Sequence, residues 1–176
     1  MKAVNLETER LSLRRLSLEE HLSETYVAWL NDVDVYQYLE TGGNYTLDQL
    51  ETYLKEQEEK DILFWGIHIK DSDKHIGNIK IDPIDSVKNS GEYGIMMGDK
   101  NEWGKGYAKE ASICVINYCF EAIKLSQITL GVIEKNIGAL KLYENMGFEI
   151  EGIIENKGVY AGELCNSIRM IKKNDE

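Results

Sequence analysis

Apolar and polar residues alternate near the start of the chain. In the run from Leu6 to Leu16, Leu11 and Leu13 are flanked by Ser12 and Arg14. A period of two predicts a half-buried strand over residues 6–16. Ser17-Leu18-Glu19-Glu20 then has the form of a capping box, in which hydroxyl and carboxylate satisfy opposing backbone N–H groups at a helix start. The helix is expected to run to about Leu30 with Leu22, Tyr26, Trp29 and Leu30 on one face, and Asn31-Asp32 breaks it. Val33–Leu39 reads as a short second helix and Thr41-Gly42-Gly43-Asn44 as a loop. Thr46-Leu47-Asp48-Gln49 is a second capping box, opening a helix to about Lys60 with Leu47, Leu50 and Leu54 inward. Three strands at hairpin spacing follow: Leu63–Lys70, His75–Asp82 and Gly91–Gly98.

The period then changes. After Trp103-Gly104-Lys105-Gly106, apolar residues recur at Ala108, Ala111, Val115, Tyr118, Cys119 and Ala122, which is helical spacing. Gln127–Ile133 is a strand. Asn136–Met146 is a helix closed by Gly147, a residue suited to the left-handed position after a helix end. Phe148–Glu155 and Leu164–Lys172 are the last strands, joined by a turn near Ala161-Gly162. Strands in a run, then strands alternating with helices, predict an α+β domain with a mixed sheet, occupying residues 1–176 as one unit.

Composition narrows the function. Twenty basic against 31 acidic residues give a net charge of −11, which disfavours nucleic acid and anionic membrane as partners and permits a cationic acceptor such as an amine. Solubility alone accounts for that charge equally well. No apolar run approaches the roughly 18–20 residues that span a bilayer, and Met1 to Arg10 lacks a signal-peptide core, so a cytoplasmic location is expected. Cys114, Cys119 and Cys165 form no metal-type pair and read as buried thiols; no metal is expected.

One segment carries candidate chemistry. The strand ending at Gly98 runs into a loop with two glycines, Gly104 and Gly106, which opens a helix. Backbone N–H groups at a helix start lack intrahelical partners and carry the positive end of the helix dipole. Glycines let a phosphate approach them closely. The loop is neither a Walker loop nor a dinucleotide fingerprint. On its own, two glycines before a helix read by default as a structural turn.

Trp103-x-x-Gly106-x-Ala108 resembles the pyrophosphate-binding loop of the GCN5-related N-acetyltransferase superfamily, although Trp103 departs from the usual Gln or Arg. Trp-Gly-Lys-Gly-x-Ala is the form seen in the branch similar to ribosomal-protein N-terminal acetyltransferases. Leu6-x-Thr8-x-Arg10-Leu11-x-Leu13-Arg14, Asn136-x-x-Ala139-x-x-Leu142-Tyr143-x-x-x-Gly147-Phe148, and Gly162-Glu163 through Ser167-Ile168-Arg169-Met170 are similar to three further segments of that branch. The likeness covers nearly the whole chain. It implies a mostly antiparallel sheet of about seven strands, helices on both faces, and a splay at the cofactor-binding strand. It also implies bacterial relatives.

The resemblance further implies direct transfer of acetyl from acetyl-CoA to an amine. It assigns the pyrophosphate to backbone amides of Gly104, Lys105, Gly106, Tyr107 and Ala108, with Trp103 opening that cofactor-binding loop, and the pantetheine arm to Met96, Met97, Gly98 and Asn136. The Met97 N–H is the candidate oxyanion donor. Asn136 also suits a helix N-cap. Tyr143 is the candidate general acid, since a phenol with a pKa of about 10 is protonated when a thiolate leaves. Its alternative is a core tyrosine. Glu92 is the candidate base, with a solvated strand carboxylate as the alternative; Glu110, His68 and His75 rank below it. Trp29, Asn31, Tyr36 and Tyr38 are candidate acceptor contacts, and simple helix packing is the alternative, favoured for Trp29. A protein N-terminus, an amino-sugar nucleotide, a polyamine and an aminoglycoside-like drug remain open as acceptors. So does a non-catalytic CoA-binding module. The family often forms dimers, but no heptad or apolar stripe here proves one.

Overall fold

Thr8 ends the first predicted strand early. Its backbone N–H donates to the Leu11 carbonyl at 2.9 Å, and its hydroxyl oxygen accepts from the Leu11 N–H at 2.9 Å. The computed structural model describes residues 1–40 and 42–175, and in it the expected single strand is a hairpin of β1 (Leu6–Glu7) and β2 (Leu11–Arg15). Thr41, placed in a loop by its neighbours in sequence, lies outside the described residues.

The first predicted helix is also divided. Ser17 caps α1 (Leu18–His21), Leu22 is extended, and Ser23 caps α2 (Glu24–Asn31) by accepting from the Tyr26 N–H at 3.1 Å. A serine hydroxyl offers backbone donors an alternative partner, so a second cap inside the apolar pattern restarts the helix. α3 (Val33–Tyr36) is shorter than expected. α4 (Leu47–Glu59) opens on the complete Thr46/Gln49 capping box.

The strands β3 (Leu63–Ile69), β4 (Lys74–Asp85) and β5 (Ser90–Met97) form the expected antiparallel run. Then follow α5 (Tyr107–Glu121), β6 (Gln127–Ile133), α6 (Ile137–Asn145), β7 (Glu149–Tyr160) and β8 (Glu163–Lys173). The sheet has eight strands rather than about seven, in the order β1-β2-β3-β4-β5-β6-β8-β7. The extra strand is the short β1.

Alternation on β3 separates two apolar layers. Leu63, Trp65 and Ile67 belong to one cluster with Ala111, Val115 and Cys119 of α5, whereas Phe64 belongs to another with Tyr26 and Leu30 of α2 and Leu50 and Leu54 of α4. Cys119 and Cys165 are buried as expected; Cys114 is only half-buried. Among the described residues no helix is long and apolar enough to cross a membrane.

One joint in the sheet is incomplete. β5 and β6 run parallel and pair only at Ser90–Gln127, Gly91–Ile128 and Glu92–Thr129. Beyond Glu92 the two strands part. This is the expected splay, and it opens the sheet beside residues 93–97.

Candidate active site

The gap is the head of a cavity of about 960 Å³. Its walls include Tyr93 to Met97 from β5, Gly131 to Ile133 from β6, and Leu142 and Tyr143 from α6. At the loop end it is bounded by Trp103, Gly104, Gly106, Tyr107 and Ala108. Of the expected cofactor residues, Met96, Met97, Asn136 and Tyr143 also line it.

The loop's shape depends on its glycines. Gly104 and Gly106 have φ of 76° and 84°, the left-handed region where a side chain is strained. Gly106 is the N-cap of α5 and has no side chain to close it, so the first-turn N–H groups face outward without a side-chain acceptor. That suits an anion such as a pyrophosphate. Arg10 braces the loop from behind: its Nη1 donates to the Lys105 carbonyl at 2.9 Å, and its guanidinium lies 4.5 Å from the centre of the Tyr107 ring. Arg10 is itself held by Glu110, which also accepts from the Thr8 hydroxyl at 2.6 Å. Glu110 therefore ties the N-terminal turn to α5. Lys105 does not line the cavity, and its ammonium pairs with Glu102 at 2.6 Å.

Strand alternation orients Met97. The Gly98 N–H donates to Ile76 of β4, so the neighbouring Met97 N–H points to the opposite edge, toward the gap. The Met97 carbonyl points the same way and accepts from the Trp103 indole N–H at 2.9 Å. Trp103 thus ties the loop to the end of β5.

Gly98 lies outside the cavity lining. A Cβ there would sit 2.0 Å from the Trp29 ring. The glycine admits Trp29, which is buried at 6% exposure. Trp29 is therefore a packing residue, the alternative favoured for it over an acceptor contact. Asn31 holds the backbone of Tyr45 through both ends of its amide and does not reach the cavity either. Tyr36 packs on Gly42 and lines a separate shallow depression. Tyr38 alone of the four lines the cavity, joined by Asp34, Val35, Gln37, Leu39 and Glu40 from the same segment. Sequence offered no local signal for these, because the helix turn that aims them depends on the fold.

Tyr143 is 7% exposed and meets Tyr93 edge to face at 5.6 Å between ring centres. Burial pushes its phenol up to about 12, with the Tyr93 hydroxyl pulling weakly the other way. It stays protonated at neutral pH. Asn136 caps α6, its Oδ1 accepting from the Ala139 N–H at 3.3 Å while the residue borders the cavity. Glu92 also borders the cavity, but both its oxygens are engaged. Arg169 Nη1 and Nη2 donate to them at 2.7 Å each, and the Thr129 hydroxyl donates at 2.6 Å. Burial pushes this carboxyl up; Arg169 and Thr129 outweigh that and hold it below the ordinary carboxylate range. Such a group is a weak proton acceptor, which points away from the expected base.

Comparison with known proteins agrees with this geometry. The family described as Acetyltransferase (GNAT) domain matches residues 10–149. The chain is 29% identical over 165 residues to the uncharacterized N-acetyltransferase p20 of Bacillus licheniformis, covering 92% of this chain and 91% of that one. It is 29% identical over 94 residues to the spermidine N(1)-acetyltransferase of Escherichia coli, covering 53% and 50% of the two chains. Its fold is similar to the spermidine N-acetyltransferase of Vibrio cholerae solved in complex with CoA and spermine, at TM-score 0.83 and 22% identity over 95% of this chain and 97% of that one. It is similar to the ribosomal-protein-S5-alanine acetyltransferase of Vibrio fischeri at TM-score 0.84 and 20% identity, over 98% of each chain. An uncapped glycine-led helix beside a split in the sheet, in a chain that this family covers for most of its length, places the protein in the GNAT acetyltransferase family as an N-acetyltransferase.

Proposed function

We propose that residues 1–176 act as one cytoplasmic domain that moves the acetyl group of acetyl-CoA to the primary amine of a small polycationic acceptor, a polyamine being the leading substrate. The observation that carries this reading is the parting of β5 and β6 into a cavity bordered by both the open start of α5 and the Tyr143 phenol. Polyamine relatives and a net charge of −11 support the acceptor class. Asp34, Glu40 and Glu102 also border the cavity, each paired with a lysine: Lys100, Lys157 and Lys105 respectively.

When bound, acetyl-CoA supplies an activated thioester. In this reading the first-turn N–H groups of α5 hold the pyrophosphate. The Met97 N–H, turned toward the gap, donates to the thioester oxygen as charge grows there. The Asn136 carbonyl oxygen is occupied by the cap, which leaves its amide NH2 for the pantetheine arm. Tyr143 holds the proton that the departing thiolate takes. Glu92 is committed to Arg169, so the amine loses its proton to water at the cavity mouth.

A second copy of the chain is assigned to the β7 edge. That strand closes the sheet and exposes Ile150, Ile153 and Val159, and unpaired apolar edges favour pairing with another chain.

Thiol release from acetyl-CoA, measured against spermidine, free-N-terminal peptides, amino-sugar nucleotides and aminoglycosides, tests the proposal. Release dependent on spermidine supports it in full. Release with another class alone keeps the transfer and replaces the acceptor. CoA binding without release from any amine overturns the catalytic reading.

A further inference from the structure

Three histidines far apart in sequence meet on the α1–α2 side of β3 and β4. The ligand-competent nitrogens of His21, His68 and His75 lie within 4.8 Å of one another. None of the three borders the acetyl-transfer cavity. We propose that they form a binding site for one divalent d-block metal ion of the zinc class, stapling α1 to the sheet.

Several local features build this cluster. The break at Leu22 makes His21 the last residue of α1, with its ring driven into the sheet. Gly66 of β3 makes the room: a Cβ there would stand 2.1 Å from the His21 Nε2. A register shift between Ile67 and His68 sets His68 directly opposite His75 on β4. Such bulges re-aim side chains. Tyr26 and Trp29 close the outer side against the His75 ring.

The spacing suits an ion. His21 Nε2 and His68 Nε2 are 3.2 Å apart. Zinc–nitrogen bonds of about 2.0–2.1 Å in a tetrahedron put ligand nitrogens about 3.3 Å apart. Two ligands already have that spacing. The third, His75, now stacks beside His68 and has to turn about its side-chain bonds to point at the same ion.

The second partners of the rings also suit it. His21 Nδ1 is 3.0 Å from the Ser17 carbonyl, and His68 Nδ1 is 3.4 Å from the Asp73 carbonyl. Donation to those carbonyls leaves both Nε2 atoms as lone pairs facing each other, the arrangement that second-shell carbonyls give to metal-binding imidazoles. The Ser17 N–H, also 3.0 Å from His21 Nδ1, offers the competing tautomer, in which His21 Nε2–H simply donates to His68. His75 Nε2 lies between two acceptors, the Gly77 carbonyl at 2.9 Å and Asn78 Oδ1 at 2.8 Å, so its Nδ1 is the free ligand. Burial disfavours the protonated form of all three rings, and a neutral imidazole is the form that ligates.

Asn78 supplies an independent sign. Its Nδ2 is buried and has no hydrogen-bond partner among the described residues. A buried orphan donor calls for an unrecorded partner. A water completing the coordination of an ion beside His75 would give it one. The donor set is all imidazole, which selects zinc, copper or nickel over magnesium or calcium.

Chelator-treated full-length protein titrated with Zn²⁺ by calorimetry, and with Co²⁺ by visible absorption, tests the site. One equivalent should bind, with the intense d–d bands of four-coordinate Co²⁺. His68→Gln and His75→Gln should weaken binding at least tenfold, whereas Cys114→Ser should not change it. If the variants fail to fold, histidine-ring nitrogen NMR of the wild-type protein decides: one equivalent of Zn²⁺ should shift the resonances of all three rings. Absence of stoichiometric binding, equal binding by the histidine variants, or unmoved ring resonances would overturn the proposal and leave the hydrogen-bonded tautomer.

Discussion

Glu92 and Arg169 meet in a two-pronged ion pair at the vertex where the sheet opens. Glu92 is the last residue of β5 that pairs with β6, and Arg169 reaches it from β8, across β6. The pair fastens three strands at the point where one ladder stops. With Thr129 also donating, the carboxylate is used as an anchor.

Glu92→Gln should therefore destabilise the fold by about 1.5–3 kcal/mol, the range for hydrogen bonds to a charged group. The folded carboxyl is held below its ordinary acidity, so its contribution is present above the unfolded value of about 4.3 and is lost as pH falls through the lower folded value. Urea unfolding at pH 7 and pH 3.5 should show a larger acid loss in the wild type than in the variant. If Glu92 were the base, the acid limb of kcat/KM would vanish in Glu92→Gln; it is expected to persist.

Tyr143→Phe should lower kcat at least tenfold and leave the KM for acetyl-CoA nearly unchanged. The phenol is buried beside Tyr93 and holds its proton through neutral pH. Unchanged turnover would make Tyr143 a core residue only.

Arg10→Ala should raise the KM for acetyl-CoA about three- to tenfold with kcat little altered. Arg10 touches the loop backbone at Lys105 and the face of Tyr107 without lining the cavity. Lysine should rescue poorly, because it lacks the planar fork that serves the carbonyl and Glu110 together. An equal fall in kcat would show that the loop also positions the reacting carbonyl.

Gly106→Val should weaken CoA binding while the sheet survives. A β-branched residue in the left-handed region costs about 1–2 kcal/mol. The added Cβ would meet Arg10 Nη2 at 3.4 Å, an ordinary contact, so the cost lies in the backbone. Calorimetry with CoA and a thermal melt separate the two effects.

Ile153→Glu with Val159→Lys on β7 should convert a dimer to a monomer in sedimentation. Both side chains are more than half exposed, so the monomer fold should be unaffected. A wild-type monomer would remove the assigned dimer edge.

The sequence by itself determined the elements whose cause is local. Thr46 and Gln49 close a capping box within four residues, and β6 spans Gln127–Ile133 as its pattern predicts. The glycines of the 103–108 loop were legible because backbone geometry there depends on the missing Cβ and on nothing distant. Tertiary structure decided everything that needs two strands or a strand and a helix. Glu92 looked free because Arg169 lies 77 residues away, and only the β5-β6-β8 order brings them together. Trp29 was readable as a packing residue, but what it packs against was not, because nothing local announces that Gly98 leaves room for it. His21, His68 and His75 looked unrelated because a helix break, a bulge and the bare Gly66 must combine before their rings meet. Periodicity and caps are set by neighbours along the chain. Which side chains share a space is set by register, and register is a property of paired strands.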